Sequence, residues 1–363
     1  MTDPLITDPL TTDPVTDLTR ALERLGLAEF LAGFDDDVPD RRRWAAGVEG
    51  LGGVLRTTAG FLLLGEPADL DALPAAVAAA VPELVACALA QEQGGRAQLA
   101  DVALFRSQGL WLLAEPPSPF PVRHYFGADS VALARRGTYR PGDRVLDLCS
   151  GPGFQGLLAA QRGASATLVE LLPEVSATAR LNARLNGLAG RTEVRTGDLY
   201  ASLGAGAGPY DRVIANVPFL PSVSPPGREA PHEGGADGFS VGRRVLDGLP
   251  AHLAEGGSAF LTALLLESDG ALLSAEELRA RGAADGYGLT ITLTDRMALD
   301  ADSDLVQTVV SDHLDTDPQA DPAALAAEVT GAFARRGASA ARLAYLRADR
   351  GMADFRIIEP ART

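Results

Sequence analysis

Glycines at 151, 153 and 156, in the run Gly-Pro-Gly-Phe-Gln-Gly, follow the apolar residues Val145, Leu146 and Leu148 and precede Leu157-Leu158-Ala159-Ala160. Glycine in such a loop permits positive φ and lets a ligand approach the backbone with no Cβ in the way. Free N–H groups at the start of the helix that follows favour an anionic or carboxylate-bearing ligand. Asp147 stands just before the loop, where a carboxylate can accept from a cofactor amine or order the turn. Glu170 ends the next apolar run, where an acid can bridge two ribose hydroxyls or remain a surface acid at a strand end. Asp198, after Gly197, can accept from an adenine amino group or cap a helix. Dinucleotides and S-adenosylmethionine both satisfy these positions.

Asn216-Val217-Pro218-Phe219 separates the two. An asparagine amide, a proline-fixed backbone and an aromatic ring at a carboxyl strand end can accept from a substrate N–H and stack on a flat group. The nitrogen lone pair is then directed at an electrophilic methyl. A nicotinamide dehydrogenase has no need of such a turn. Beyond it, Glu229, His232, Glu233 and Asp237 could recognise a cationic amine or guanidine, with His232 as a base near neutral pH. The plainer reading is a solvated loop in which Asp237 caps a helix. His124 and Tyr125 precede the glycine loop, and Tyr125 either covers a sulfonium by cation–π attraction or packs in the core.

Positioning these residues takes alternating strands and helices. Strands are expected at 144–148, 167–171, 192–196, 212–215, 258–266, 289–293, 341–346 and 355–358, with helices at 157–160 onward, 131–136, 175–186, 241–253 and 275–282. Repeated βα units imply a parallel sheet covered by helices on both faces. The expected class is α/β, with a doubly wound, mostly parallel, Rossmann-like sheet of seven strands and a smaller N-terminal α+β domain. Residues 300–337 form an acidic, Ala-rich insertion late in the sheet, either decoration or a substrate lid.

Ahead of the linker Glu115-Pro116-Pro117-Ser118-Pro119, the chain divides further. Residues 1–16 repeat Thr-Asp-Pro and read as a disordered arm. Residues 17–115 read as a helical or α+β accessory domain, either of winged-helix type, though without a basic recognition helix, or a substrate-positioning or packing domain. Thr16 or Asp17 caps a helix to about residue 30, a second helix spans 73–91, and strands 97–105 and 109–113 flank a turn at 106–108. Residues 116–363 carry the cofactor-binding domain.

Composition narrows the function classes. The formal charge is −16, and residues 1–40 hold ten acids against two arginines. That balance disfavours a nucleic-acid target. All 32 basic residues are arginine, which excludes a Schiff-base lysine and a Walker-type phosphate loop. Two cysteines, Cys87 and Cys149, give neither a disulfide framework nor a zinc spacing, and no metal is expected. No apolar run approaches a membrane span and the acidic N-terminus is unlike a secretory signal, so a cytoplasmic protein is expected.

The region from about residue 124 to 266 resembles the class I S-adenosylmethionine-dependent methyltransferases. It is most similar to their methyltransferase small-domain group, which includes the HemK-type release-factor glutamine methyltransferases. The shared motifs are Asp-Leu-Cys-Ser-Gly-Pro-Gly-Phe-Gln-Gly at 147–156, Glu170, Gly197-Asp198, Asn216-Val217-Pro218-Phe219 and Gly234-Gly235-Ala236-Asp237-Gly238-Phe239. The resemblance implies S-adenosyl-L-methionine held by Asp147, Ser150, Gly151, Gly153, Glu170, Asp198, Leu199 and Asn216. It implies an acceptor held by Asn216, Pro218 and Phe219, to which the residues add Tyr125, His232 and Glu233. The family pattern has proline where this chain has Val217, which restores a backbone N–H and loosens the turn. A small-molecule acceptor methylated on nitrogen fits that departure. The alternatives are a protein glutamine, intramolecular alkylation of the cofactor's own aminobutyrate chain, and a cofactor-binding module without turnover.

Overall fold

The computed structural model describes residues 13–34, 37–116, 123–204, 206–222 and 233–360, with the side chains of all but 315 and 316. Residues 1–12 of the expected arm and Pro117-Ser118-Pro119 of the linker lie outside the described residues. From residue 144 the chain runs β1 (Arg144–Leu148), α1 (Phe154–Gln161), β2 (Ser165–Glu170), α2 (Pro173–Leu185), β3 (Thr192–Thr196), β4 (Tyr210–Ala215) and α3 (Ser240–His252). It continues through β5 (Leu253–Ser268), α4 (Ala275–Asp285), β6 (Tyr287–Met297), α5 (Asp304–Thr316), α6 (Pro322–Arg335), β7 (Ala340–Arg350) and β8 (Phe355–Ile358). This is the expected Rossmann-like α/β alternation: β1–β7 are the seven expected strands and the four-residue β8 is an eighth. The chain groups into two compact units, the first comprising Met1–Ser118, Arg123–Val131 and Ser150–Thr196, the second Pro119–Val122, Ala132–Cys149 and Gly197–Thr363.

The first unit opens on a helix, Pro14–Leu25, that starts inside the Thr-Asp-Pro repeat. Its cap is Asp13 rather than Thr16 or Asp17: the Asp13 carboxylate accepts from Val15 N at 3.1 Å, and Pro14 supplies the first helical φ. The helix does not run on to residue 30, because Gly26 turns left-handed at φ 85° and a second helix, Leu27–Ala32, follows. The Ala/Val helix is Ala75–Ala86, shorter than expected. Its expected tail is instead a strand, Ala90–Gln93, paired antiparallel with Arg96–Leu99 about Gly94 and Gly95, at φ 62° and 81°. Two consecutive positive φ values give the tight hairpin turn whose hand matches strand twist. The expected strand 97–105 is therefore broken, and Ala103–Ser107 pairs separately with Leu110–Ala114. That hairpin turns at Gln108 and Gly109, φ 50° and 81°, two residues later than expected.

Two asparagines of α2 tie this hairpin down. Asn182 accepts from Leu113 N at 2.8 Å and donates to Leu113 O at 3.0 Å and to Pro152 O at 2.9 Å. Asn186 does the same for Trp111, at 2.9 and 2.8 Å. The side chains thus supply the hydrogen bonds a neighbouring strand would otherwise give to residues 110–114. In this unit β2 and β3 pair in parallel, with Glu170 opposite Thr196.

In the second unit β1, β4 and β5 are parallel, β7 runs antiparallel to β5 and β6, and β8 lies parallel to β6. The central strand β5 is buried without alternation from Gly257 to Glu267, as a strand covered on both faces must be. The insertion between β6 and β7 is the helix pair α5 and α6. Leu305, Val306, Val309, Val310, Val329 and Phe333 pack on Leu264 and Leu266 of β5, and Phe219 and Leu220 lie against the same cluster. At the end of β5, buried Glu267 receives Arg342 at 2.9 Å and Arg296 at 2.8 Å, and Arg342 also reaches Glu359 at 2.7 Å. Burial opposes ionisation of Glu267, but the two guanidiniums outweigh it and hold the carboxyl below its ordinary value.

Candidate functional site

The glycine loop belongs to the first unit from Ser150 onward. Gly151 and Gly153 both take positive φ, 55° and 96°. A methyl on Gly153 would meet Leu168 Cδ2 at 2.9 Å, whereas one on Gly151 would meet nothing nearer than Tyr125 O at 3.9 Å. Gly153 is therefore required by packing, and Gly151 leaves open space over the backbone. Ser150 is 7% exposed, and its Oγ has no hydrogen-bond partner among the described residues. Gly156 is buried within α1.

Glu170 organises this loop directly. One carboxylate oxygen accepts from Gly151 N at 2.9 Å and the other from Leu172 N at 2.9 Å. Burial raises its pKa, and the amide donors offset only part of that. The acid is thus no free surface group. Each oxygen still has a lone pair to offer a ribose hydroxyl.

The segment ahead of the loop is fastened in the same unit. Phe126 sits between Phe105 and Phe154, with ring centroids 5.2 and 4.9 Å away. Glu115 accepts from the backbone N–H groups of Arg123 and His124 at 2.9 and 3.2 Å, and its Oε1 lies 3.3 Å from His124 Nδ1. Tyr125 is not a core residue: it is 40% exposed, and its hydroxyl donates to Asp129 Oδ1 at 2.5 Å.

The second unit holds the other positions. Asp147 is fully buried in β1, and Cys149, at φ 53°, carries the chain out of that strand. Asp198 is half-exposed and accepts from Arg244 Nη2 at 2.6 Å. It stands at the N-cap of the short helical turn Leu199–Ser202, but its side chain makes no capping bond, and Leu199 is buried at φ 46°. Asn216, at the end of β4, accepts through Oδ1 from Thr262 Oγ1 at 2.8 Å. Thr262, fully buried in β5, escaped sequence reasoning; a lone hydroxyl in the apolar run Ala-Phe-Leu-Thr-Ala-Leu was the available signal.

Val217 is 2% exposed, so its side chain is part of the core. The segment Gly234-Gly235-Ala236-Asp237-Gly238 buttresses Phe219. Gly234 N donates to Leu220 O at 2.6 Å, and Ser222 N to Gly235 O at 2.9 Å. A methyl on Gly234 would meet Phe219 Cα at 2.8 Å, and one on Gly238 would meet Phe219 O at 2.6 Å. Glycine is needed at both because the backbone of the Phe219 turn lies directly on them. Glu233 is buried and accepts from Ser222 Oγ at 2.7 Å. Asp237 accepts from Phe239 N at 3.1 Å and pairs with Arg243 at 2.8 Å, but it does not cap α3 as expected: Phe239 holds the N-cap position and no side chain caps the helix. Glu229 and His232 lie outside the described residues. Among the described residues no group of three or more His, Cys, Asp or Glu could hold a metal ion, and no helix is long and apolar enough to cross a membrane.

Comparison with known proteins gives matches over this same region. The family described as Methyltransferase small domain matches residues 130–265. A release factor glutamine methyltransferase from Cereibacter sphaeroides is 30% identical over 202 residues, covering 53% of this chain and 68% of that protein. A ribosomal protein uL3 glutamine methyltransferase from Bradyrhizobium diazoefficiens is 34% identical over 143 residues, covering 37% of this chain and 44% of that protein. The chain spans about half or less of several such relatives, 44% of that protein and 51% of a release factor glutamine methyltransferase from Deinococcus radiodurans. Among solved structures, a SAM-dependent methyltransferase from Thiobacillus denitrificans in complex with S-adenosyl-L-homocysteine aligns with a TM-score of 0.34 at 18% identity, covering 62% of this chain and 92% of that one.

Proposed function

The chain belongs to the S-adenosylmethionine-dependent methyltransferases of the methyltransferase small-domain, HemK-like group, and from that premise we propose that it methylates a nitrogen of a small amine, amide or guanidine. When bound, S-adenosyl-L-methionine supplies a methyl carbon made electrophilic by its sulfonium. What remains for the chain is to hold and align a neutral nitrogen, the contribution that proximity and orientation make to such a displacement.

The loop residues suit the cofactor. Ser150 offers a buried hydroxyl that has no partner among the described residues, and the backbone over Gly151 is open. Glu170 takes the ribose hydroxyls in this reading, while Gly153 keeps α1 close-packed beneath the loop. Asp147, Asp198 and Leu199 are assigned to the cofactor on the family motifs.

The observation that carries the acceptor reading is the Asn216 amide fixed by Thr262. That hydroxyl fixes the orientation of the amide, which in this reading faces the acceptor N–H. Pro218 lacks a competing N–H, and in this reading Phe219, whose backbone lies against Gly234 and Gly238, is assigned to a flat acceptor group. The helix pair α5 and α6 packs against Phe219 and Leu220, and in this reading it walls the acceptor side and restricts it to small molecules. A protein glutamine is the second reading, favoured by what the relatives' names say they act on.

The test is incubation with methyl-labelled S-adenosyl-L-methionine and two acceptor panels, small amines, amides and guanidines in one and glutamine-bearing peptides in the other. Label on a small molecule with release of S-adenosylhomocysteine is expected. Label on peptide alone moves the conclusion to the second reading, and methylthioadenosine without label transfer overturns both. Glu170→Ala should abolish cofactor binding; retained binding would remove Glu170 from the site.

A further inference from the structure

His124 is 8% exposed, and its two ring nitrogens have different surroundings. Nδ1 lies 3.3 Å from Glu115 Oε1, and a carboxylate accepts only, so the ring hydrogen of the neutral tautomer is on Nδ1. Nε2 is then a bare acceptor. It is buried and has no hydrogen-bond partner among the described residues.

Such an atom is costly unless something supplies a donor. The fold goes to some length to hold it there. Glu115 grips both the ring and the backbone N–H of His124, Glu115 N donates to His124 O at 2.8 Å, and Phe126 locks the segment against Phe154 at the start of α1. Tyr125 O is the atom nearest the open space over Gly151. Gly151 in turn donates its N–H to the Glu170 carboxylate at 2.9 Å, which ties this segment to the acid assigned to the ribose.

We propose that His124 Nε2 is a direct contact of the bound nucleoside cofactor and accepts a hydrogen bond from a ribose hydroxyl beside Glu170. The inference rests on the cofactor reading of the glycine loop and adds to it a residue that none of the glycine-loop motifs contains.

Two substitutions separate contact from scaffolding. In His124→Asn the amide nitrogen overlays Nδ1 and keeps the Glu115 bond, but nothing replaces Nε2. In His124→Gln the longer side chain returns an acceptor near Nε2. Titration calorimetry with S-adenosylhomocysteine and with methylthioadenosine, which keeps the ribose and lacks the aminobutyrate chain, reads the result. The Asn variant should bind both compounds about tenfold more weakly, the value of one buried hydrogen bond, and the Gln variant should recover most of that. Unchanged affinity in the Asn variant overturns the inference, as does a loss confined to S-adenosylhomocysteine, which would put the contact on the aminobutyrate. Equal losses in both variants with a matching fall in thermal midpoint would make His124 purely structural. Failure of the wild type to bind either compound would remove the cofactor reading itself, and the inference with it.

Discussion

Gly151 and Gly153 are separated by one proline, yet the structure asks different things of them, and alanine at each should separate stability from binding. At Gly153 the added methyl meets Leu168 Cδ2 at 2.9 Å, and Ala179 Cβ and Leu157 Cδ1 at 3.4 Å. Leu168 is fully buried and has nowhere to retreat. Overpacking of this kind costs about 1–3 kcal/mol, and left-handed backbone at φ 96° adds about 1–2 kcal/mol for a residue with a Cβ. Gly153→Ala should therefore lose about 2–5 kcal/mol and lower the thermal midpoint by at least about 5 °C. Gly151, at φ 55°, lies in the left-handed well that alanine enters for about 1 kcal/mol, and its methyl meets only Tyr125 O, at an unstrained 3.9 Å. Its loss of stability should be near that backbone cost alone. Binding should rank the other way, because the Gly151 methyl projects into the space over the loop. Titration calorimetry should show S-adenosylhomocysteine weakened at least about tenfold by Gly151→Ala, and no more than about threefold by Gly153→Ala under conditions where it is folded. If Gly151→Ala bound S-adenosylhomocysteine like the wild type, the cradle reading of the loop would be wrong.

Two further outcomes follow from the second unit. Glu267→Gln removes the buried carboxylate of this cluster and leaves Arg342 only the more exposed Glu359, which should cost about 3 kcal/mol in urea unfolding at neutral pH. Because the Glu267 pKa is lowered on folding, its contribution is full above the ordinary value of 4.5 and is lost as pH falls through the lowered one. The wild type and the variant should converge in acid, and a constant difference down to pH 2 would refute the ion-pair account. Thr262→Val keeps the shape of β5 but removes the hydroxyl that orients Asn216. It should change stability by no more than about 1 kcal/mol, leave S-adenosylhomocysteine affinity intact and reduce methyl transfer about tenfold. Unimpaired transfer would show that Asn216 needs no such support.

The alternation of strands and helices after residue 144 is legible because apolar runs and glycine turns are local signals, and β8 falls on the expected residues 355–358. Misread boundaries have local causes as well. The Gly94-Gly95 pair marked a two-residue hairpin turn, but the helical run of Ala and Val before it masked the strand at 90–93. Asp13-Pro14 was a helix start hidden in a repeat. Within the site, the glycines, Glu170 and Asn216 stood out by type and position. What stayed hidden depended on distant partners: Thr262 on Asn216, Arg244 on Asp198, and Glu115 on His124. No spacing rule connects a residue to a partner that only the tertiary fold brings near.

The asparagine pair on α2 bears on how the chain is made. Strand Leu110–Ala114 receives part of its backbone hydrogen bonding from Asn182 and Asn186, which are synthesised some seventy residues later. During translation the N-terminal region leaves the ribosome with that strand edge uncovered, and it cannot complete its first unit until α2 has followed. An unpaired strand edge is a template for association with other chains. Synthesis halted before residue 182 should therefore yield an aggregation-prone fragment, and the first 115 residues should not mature as a free-standing module.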